Sequence, residues 1–380
     1  MKHETNTGII RIGSLSGLDP DDKAVLSEVA VSSEEETRSG TFVLKNSSLL
    51  CSRSNQNGIE ILPIANALRQ YQWLREKYYW SLISAEESPL SREEALTKEP
   101  LGFFLRVKKG QKGRLPCQAA LYMTGALGRQ VLHNVIILEE GSELEFITGC
   151  ISTQRDFPGE HLAISEIYIG KNAQLTNTMV HSWSSSVRVV PYSVTAVDAG
   201  GTYVNNYISL RPAGIMDSNP VTFLNGAGAS AKYFSVILGS EDSMISLGGD
   251  VYLNAEGTSA ELAHRAVCTG GKIIQKGLLI GKAECHAHVD CSGMLITPGK
   301  EGFIESIPGL RSHHEDARMS HEASIGKIAP RQVQYLMAHG LEEREAISMI
   351  VRGFLDADIS GLGPELDRRI SDIAELAGHE

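Results

Sequence analysis

Residues 308–328 read PGLRSHHEDARMSHEASIGKI, and within the stretch Ser312 to Glu322 lie three histidines and three carboxylates. His313, His314 and His321 offer imidazole nitrogens, and Glu315, Asp316 and Glu322 offer oxygens. Both groups lend electron pairs to borderline cations, so the chemistry this stretch could support is metal binding or metal positioning. The block also closes a repetitive region and opens a helical one, which places it at an architectural seam.

Other chemistry is poorly served. Gly277-Leu278-Leu279-Ile280-Gly281-Lys282-Ala283 has three residues between its glycines and Ala where a phosphate-binding loop needs Ser or Thr on Mg²⁺, so nucleotide hydrolysis is expected in a partner. The six cysteines lie at long intervals with no Cys-x-x-Cys, a pattern of reduced thiols rather than of a zinc ribbon. A formal charge of −11 excludes nucleic acid as a main partner, because phosphate binding needs clustered Lys and Arg. No apolar signal region opens the chain and nowhere do 18 apolar residues run together; a cytoplasmic, non-membrane protein is expected.

The elements that must position these groups are β. Aromatics are sparse at 6% and glycines number 37, a balance that favours turn-rich strands over a helix bundle. The stretches 135–144, 167–175, 194–203, 221–229 and 251–260 each read as a short alternating strand, a Gly, Asn or Asp turn and a second strand. Turn glycines at 113, 141, 170, 200, 228 and 257 follow one another at 28, 29, 30, 28 and 29 residues. A fixed period of this size marks stacked repeats, and period-two alternation makes each repeat β. One apolar face per unit is buried only by stacking on its neighbours. A β-solenoid over residues 101–312 follows, with a long sandwich as the competing fold.

The flanks supply caps. Residues 1–100 are expected to be acidic and partly flexible, then helical, with Tyr71, Trp73, Tyr78, Tyr79 and Trp80 of one aromatic helix packing on the first rung. Residues 313–380 are expected to end in helices. Pro330 suits a first helical position and Gly340 a C-terminal cap. Ala346, Ile347, Ile350, Val351 and Phe354 share one helical stripe, and a last helix begins near Pro364.

At this point the residues resemble a known family. HEASIGKIAPRQVQYLMAHGLEEREAISMIVRGFL (321–355) resembles the C-terminal signature of SufB/SufD proteins, core components of the SUF iron–sulfur cluster assembly system. The likeness extends to 133–141, to 290–296 and to the aromatic segment 71–82. It implies a right-handed parallel β-helix between N- and C-terminal helical domains, pairing through the β-helix as a homodimer or a SufB/SufD-type heterodimer. It further implies a SufC-like ABC ATPase docked on the C-terminal helices, for which Met337, Ile350 and Phe354 are the candidate contacts. The chain would then be a scaffold rather than an enzyme, carrying a transient iron–sulfur cluster. Candidate ligands are Cys291, His313, His314, Glu315, His321 and Glu322. The cysteines of sulfur-receiving SufB proteins are matched to Val236 and Ser312, and Ser320-His321-Glu322-Ala323 combines the Glu of SufB with the Ser-His of SufD. Two other readings stand beside this one. The chain could be a purely structural SufD-like partner that ligates no cluster. It could also be a β-helix carbohydrate-active enzyme, a lyase or hydrolase, using Glu139, Glu140 and Glu166 as acid and base.

Overall fold

The computed structural model describes residues 11–124, 128–153, 158–240, 242–296 and 301–355. Their dominant feature is a parallel β-solenoid of about seven turns. The first sheet stacks Gly40–Lys45, Cys117–Met123, Glu143–Ser152, Gln174–Ser182, Thr202–Arg211, Ser230–Gly239, Thr258–Cys268, Cys285–Leu295 and Ala317–Lys327, all in parallel. The facing sheet runs from Phe103–Val107 through Arg129–Leu138, Gly159–Ile169 and Val187–Val197 to Gly271–Gly281 and Gly302–Ser312. Two of its rungs are split, into Ile215–Ser218 with Val221–Leu224 and Met244–Leu247 with Asp250–Leu253. Pro220 lies at the first break, where its missing N–H cannot serve a ladder, and Gly248-Gly249 at the second.

The alternation seen in the sequence is the alternation of burial. In Thr258–Cys268, Ala260, Leu262, His264 and Ala266 are buried while Ser259 and Glu261 face water. Inward side chains of both sheets merge into one continuous core along the axis. The corners are held by residues at positive φ: Gly110, Gly141, Asn172, Gly200, Gly228 and Gly257. Each donates its backbone N–H to the next corner's carbonyl, as Gly141 does to Lys171 and Gly200 to Ala227. Gly113 and Gly170 therefore mark their corners without occupying the left-handed position, which Gly110 and Asn172 take instead. Asn tolerates that region better than other side chains, so the repeat survives the exchange.

The helices lie outside the coil. α1 (Pro20–Glu28) is capped by the Asp19 side chain and covers an apolar strip on the outer face of the first sheet, together with α6 (Glu343–Leu355). α2 (Ile64–Gln70) and α3 (Gln72–Lys77) break at an extended Tyr71 and lay their aromatics on the second sheet. α4 (Pro89–Ala95) is capped by Ser88 in a segment whose sequence reads as linker. α5 (Pro330–Ala338) packs on α6.

Both flanks differ from their sequence reading. The N-terminal hundred residues contribute strands to both sheets, with Ser48–Ser54 and Ile59–Pro63 closing that end by antiparallel pairing. At the other end the final rung runs to Lys327, so the coil continues past residue 312. The helix expected from Pro364 lies outside the described residues. All six cysteines are buried. No helix among the described residues is long and apolar enough to cross a membrane.

Candidate functional site

Among the described residues the solenoid's C-terminal end is open. Ala317–Lys327 pairs with Cys285–Leu295 on one side and Gly302–Ser312 with Gly271–Gly281 on one side, and no further described strand covers either. Phe303, Ile307 and Ile325, all on these last two strands, are 49%, 48% and 45% exposed. An uncovered pair of long strands with apolar side chains is an edge that folded proteins cover, by a cap or by another chain.

Strand alternation distributes the candidate ligands. His321 is the register partner of Val289, which is fully buried, so His321 stands on the lumen side of the last rung and is exposed because no described strand lies above it. Glu322 points the opposite way, beside Asp290 on the outer face, where Asp290 bridges Arg265 at 2.6 Å. His313, His314, Glu315 and Asp316 form the exposed corner before the strand. That corner is occupied with itself: Ser312 Oγ donates to the His314 carbonyl at 2.9 Å and Asp316 N–H donates to His314 Nδ1 at 3.2 Å. Four steps of strand at ~3.3 Å each, from Ala317 to His321, carry His321 roughly 13 Å along the rung from the corner that holds His314. Accordingly, no three His, Cys, Asp or Glu side chains converge to hold a metal among the described residues.

Cys291 faces the lumen one rung below the mouth, with Ala323 above it and His264 beneath. Burial, with Asp290 adding to it, pushes its thiol up to about 12. Deeper along the axis a small cavity of about 70 Å³ is lined by Cys150, His161, His181 and Tyr207 among others. His181 is the register partner of Cys150, and both His181 Nε2 and Trp183 Nε1 lack hydrogen-bond partners. Burial drives His161 down to about 3 and His181 well below its ordinary value, so both rings are neutral. The sequence signal for these groups was only their place on inward-facing strand positions. Val236, one of the two positions matched to a SufB cysteine, packs in the outer apolar strip beneath α6; Ser312, the other, is exposed at the rung's end.

A second constellation has the residue types of a catalytic site and a different use. Glu166 and His133 are both fully buried, His133 Nε2 lying 3.0 Å from Glu166 Oε2. The carboxylate also accepts the backbone N–H groups of Trp80, Ser81 and Leu82, each at 2.7 Å, with Trp80 at φ +61°. Successive N–H groups in such a turn form an anion-binding nest. Burial lowers the His133 pKa, so its neutral Nε2–H donates. Glu166 thus clamps the aromatic segment to the coil and has no face left for a substrate. Glu139 is engaged by Arg106 and by the Lys109 N–H, and Glu140 by Lys109 Nζ. The three carboxylates offered as acid and base are committed to structure.

The helical hairpin presents a separate surface. Tyr335, Met337 and Met349 are exposed on it, and α5 buries none of its residues. Ile350 is half-buried, while Phe354 packs beside Val351 and Leu355 against the first sheet.

With this geometry in view, comparison with known proteins is decisive. Residues 121–354 match the family model described as the SUF system FeS cluster assembly, SufBD core domain. The chain belongs to the SufBD family. An iron-sulfur cluster assembly SufBD family protein of Archaeoglobus fulgidus is 36% identical over 357 residues, 94% of this chain and 95% of the relative. One from Methanothermobacter thermautotrophicus strain Delta H is 37% identical over 346 residues, covering 90% and 84% of the two chains. The SufBD protein PH1385 of Pyrococcus horikoshii is 28% identical over 374 residues, 97% and 83%. The SufBD match spans the rungs from Leu121 to the end of α6, so it takes in the open mouth and the hairpin together.

Proposed function

We propose that this SufBD protein is a cytoplasmic scaffold that pairs end to end through its open rung and receives a nascent iron–sulfur cluster there. The observation that carries this reading is His321, a lumen-side imidazole exposed on a terminal strand whose outer edge no described strand pairs. A single imidazole is a poor site for iron, but a second copy, or a SufB-type partner, would bring its own donors to the same mouth. The cluster is cargo, held transiently. A SufC-like ABC ATPase would dock on the α5–α6 hairpin, where Tyr335, Met337 and Met349 are exposed, and would supply ATP hydrolysis.

Two measurements test the proposal. Anaerobic reconstitution with iron and sulfide should give a sulfide-to-iron absorption band that His321→Ala diminishes severalfold. A band of equal strength in that variant removes His321 from the site. Co-expression with a SufC-like ATPase should yield a complex that Met337→Asp with Tyr335→Asp disrupts while the fold, followed by circular dichroism, is retained. An ATPase that co-purifies equally well with the double variant docks elsewhere. Phe354→Asp is unsuited to this test because Phe354 contributes to the packing beneath α6.

A further inference from the structure

Directly beneath the mouth, Cys291 and His264 are register partners on adjacent parallel strands, and both are fully buried facing the lumen. Neighbouring strands lie ~4.8 Å apart, so one ion can be reached by both side chains at ordinary metal–sulfur and metal–nitrogen lengths of about 2.3 and 2.1 Å. Neither ring nitrogen of His264 has a hydrogen-bond partner of normal geometry, although the Lys276 backbone passes close to the ring. A neutral imidazole carries one N–H and one lone pair, and burying both without partners is a cost that native folds rarely bear without a reason. Full burial disfavours a charged ring, and a neutral imidazole keeps a lone pair free for a cation.

The pair lies one rung from the mouth, among small and polar side chains. Above Cys291 the last rung places only Ala323, a small and exposed residue. Across the lumen Ser306, half-exposed at the mouth, donates to Gln275 Oε1 at 2.9 Å, and Gln275 Nε2 donates to the Ser292 carbonyl at 3.2 Å. Beneath His264 the register partner is Ser235, also buried. Polar groups thus lie between the mouth and the Cys–His pair.

We infer that Cys291 Sγ and one ring nitrogen of His264 form a two-donor site for a single thiophilic divalent cation. On binding, the S–H bond of Cys291 breaks and its proton leaves to solvent, while the thiolate and the imidazole lone pair each form a bond to the ion. No electron changes hands. Two protein donors leave the other coordination positions to water or sulfide, which suits an ion in transit better than a permanent four-ligand centre. Only the identity of the cargo, iron(II), rests on the scaffold reading above.

Cobalt(II) reports the site without assembling a cluster. Anaerobic titration of the full-length apo-protein should give a thiolate-to-cobalt band in the near ultraviolet that saturates at one equivalent. Cys291→Ser should abolish the band, His264→Phe should weaken binding at least tenfold, and Cys51→Ser, in the outer strip far from the mouth, should leave it intact. A wild-type protein without the band, or a Cys291→Ser protein that keeps it, overturns the inference. If His264→Phe misfolds by circular dichroism, the contrast between Cys291→Ser and Cys51→Ser still decides. His321→Ala separates the two readings. It should spoil cluster reconstitution while sparing the cobalt band, so either can fail alone.

Discussion

Side chains adjacent in sequence are parted here by the simplest property of a strand. His321 and Glu322 read as a ligand pair, yet successive residues of a strand face opposite sides, so one enters the lumen and the other joins Asp290 outside. That separation was legible once Ala317–Lys327 is recognised as a rung; the density of charge and imidazole at 313–322 masked its alternation. Glu166 was not legible at all, because its main partners are backbone N–H groups some eighty positions earlier in the chain. Its role predicts a specific loss. Glu166→Gln keeps the shape but removes the charge and turns one oxygen acceptor into a donor facing other donors. Hydrogen bonds to a charged group contribute about 1.5–3 kcal/mol each, and a buried group left unsatisfied adds its desolvation cost, so a loss of roughly 2–4 kcal/mol is expected. Denaturant unfolding measures it, with Glu140→Gln at an exposed corner as a control whose midpoint should not move. Equal midpoints for the two variants would show that the clamp carries no stability.

At the scale of elements, the even glycine spacing gave the coil and the strand alternation gave its core, but the corner chemistry is finer than the spacing. Asn172 holds a left-handed position that the glycine count attributes to Gly170. The corners also differ in what surrounds them. A Cβ added at Gly228 meets nothing within 4 Å, whereas at Gly200 it would fall 2.3 Å from Asn172 Oδ1. Gly228→Ala therefore isolates the conformational term of a positive φ, ~1–2 kcal/mol. Gly200→Ala adds a clash that the stacked Asn172 must relieve by moving, and should cost more. Equilibrium unfolding of the two variants in parallel tests the ordering. A reversed order would mean that the Asn172 side chain moves away freely and that the corners are not packed against one another. The helices followed the same pattern of partial legibility: the stripe Ala346, Ile347, Val351 was visible, but which face it covers was not. Its partner is the outer strip of the first sheet, built by Val236, Leu238 and Val267 from separate rungs.

For the molecule as a whole, the asymmetry between the two ends of the coil is the property from which function follows. The N-terminal end is closed by Ser48–Ser54 and Ile59–Pro63, which pair antiparallel and turn the chain back on itself. Among the described residues the C-terminal end has no such device, and no described strand pairs with the outer edges of its last two strands, each of 11 residues. In the pairing proposed above this end is the surface for association, and strands of equal length on both sheets favour a partner with the same cross-section. Ile325 sits on the lumen side of this mouth, above Gly293, with its side chain 45% exposed. In a paired molecule it would lie against apolar atoms of the opposing rung, where an unpartnered charge is costly. Ile325→Asp should therefore shift the protein from dimer to monomer in sedimentation velocity at micromolar concentration. Its unfolding midpoint, measured at a concentration where both proteins are monomeric, should stay close to that of the wild type, because little native packing within one chain is lost. A variant that remains dimeric would place the association surface elsewhere, and His321 would then have to work without a second copy facing it.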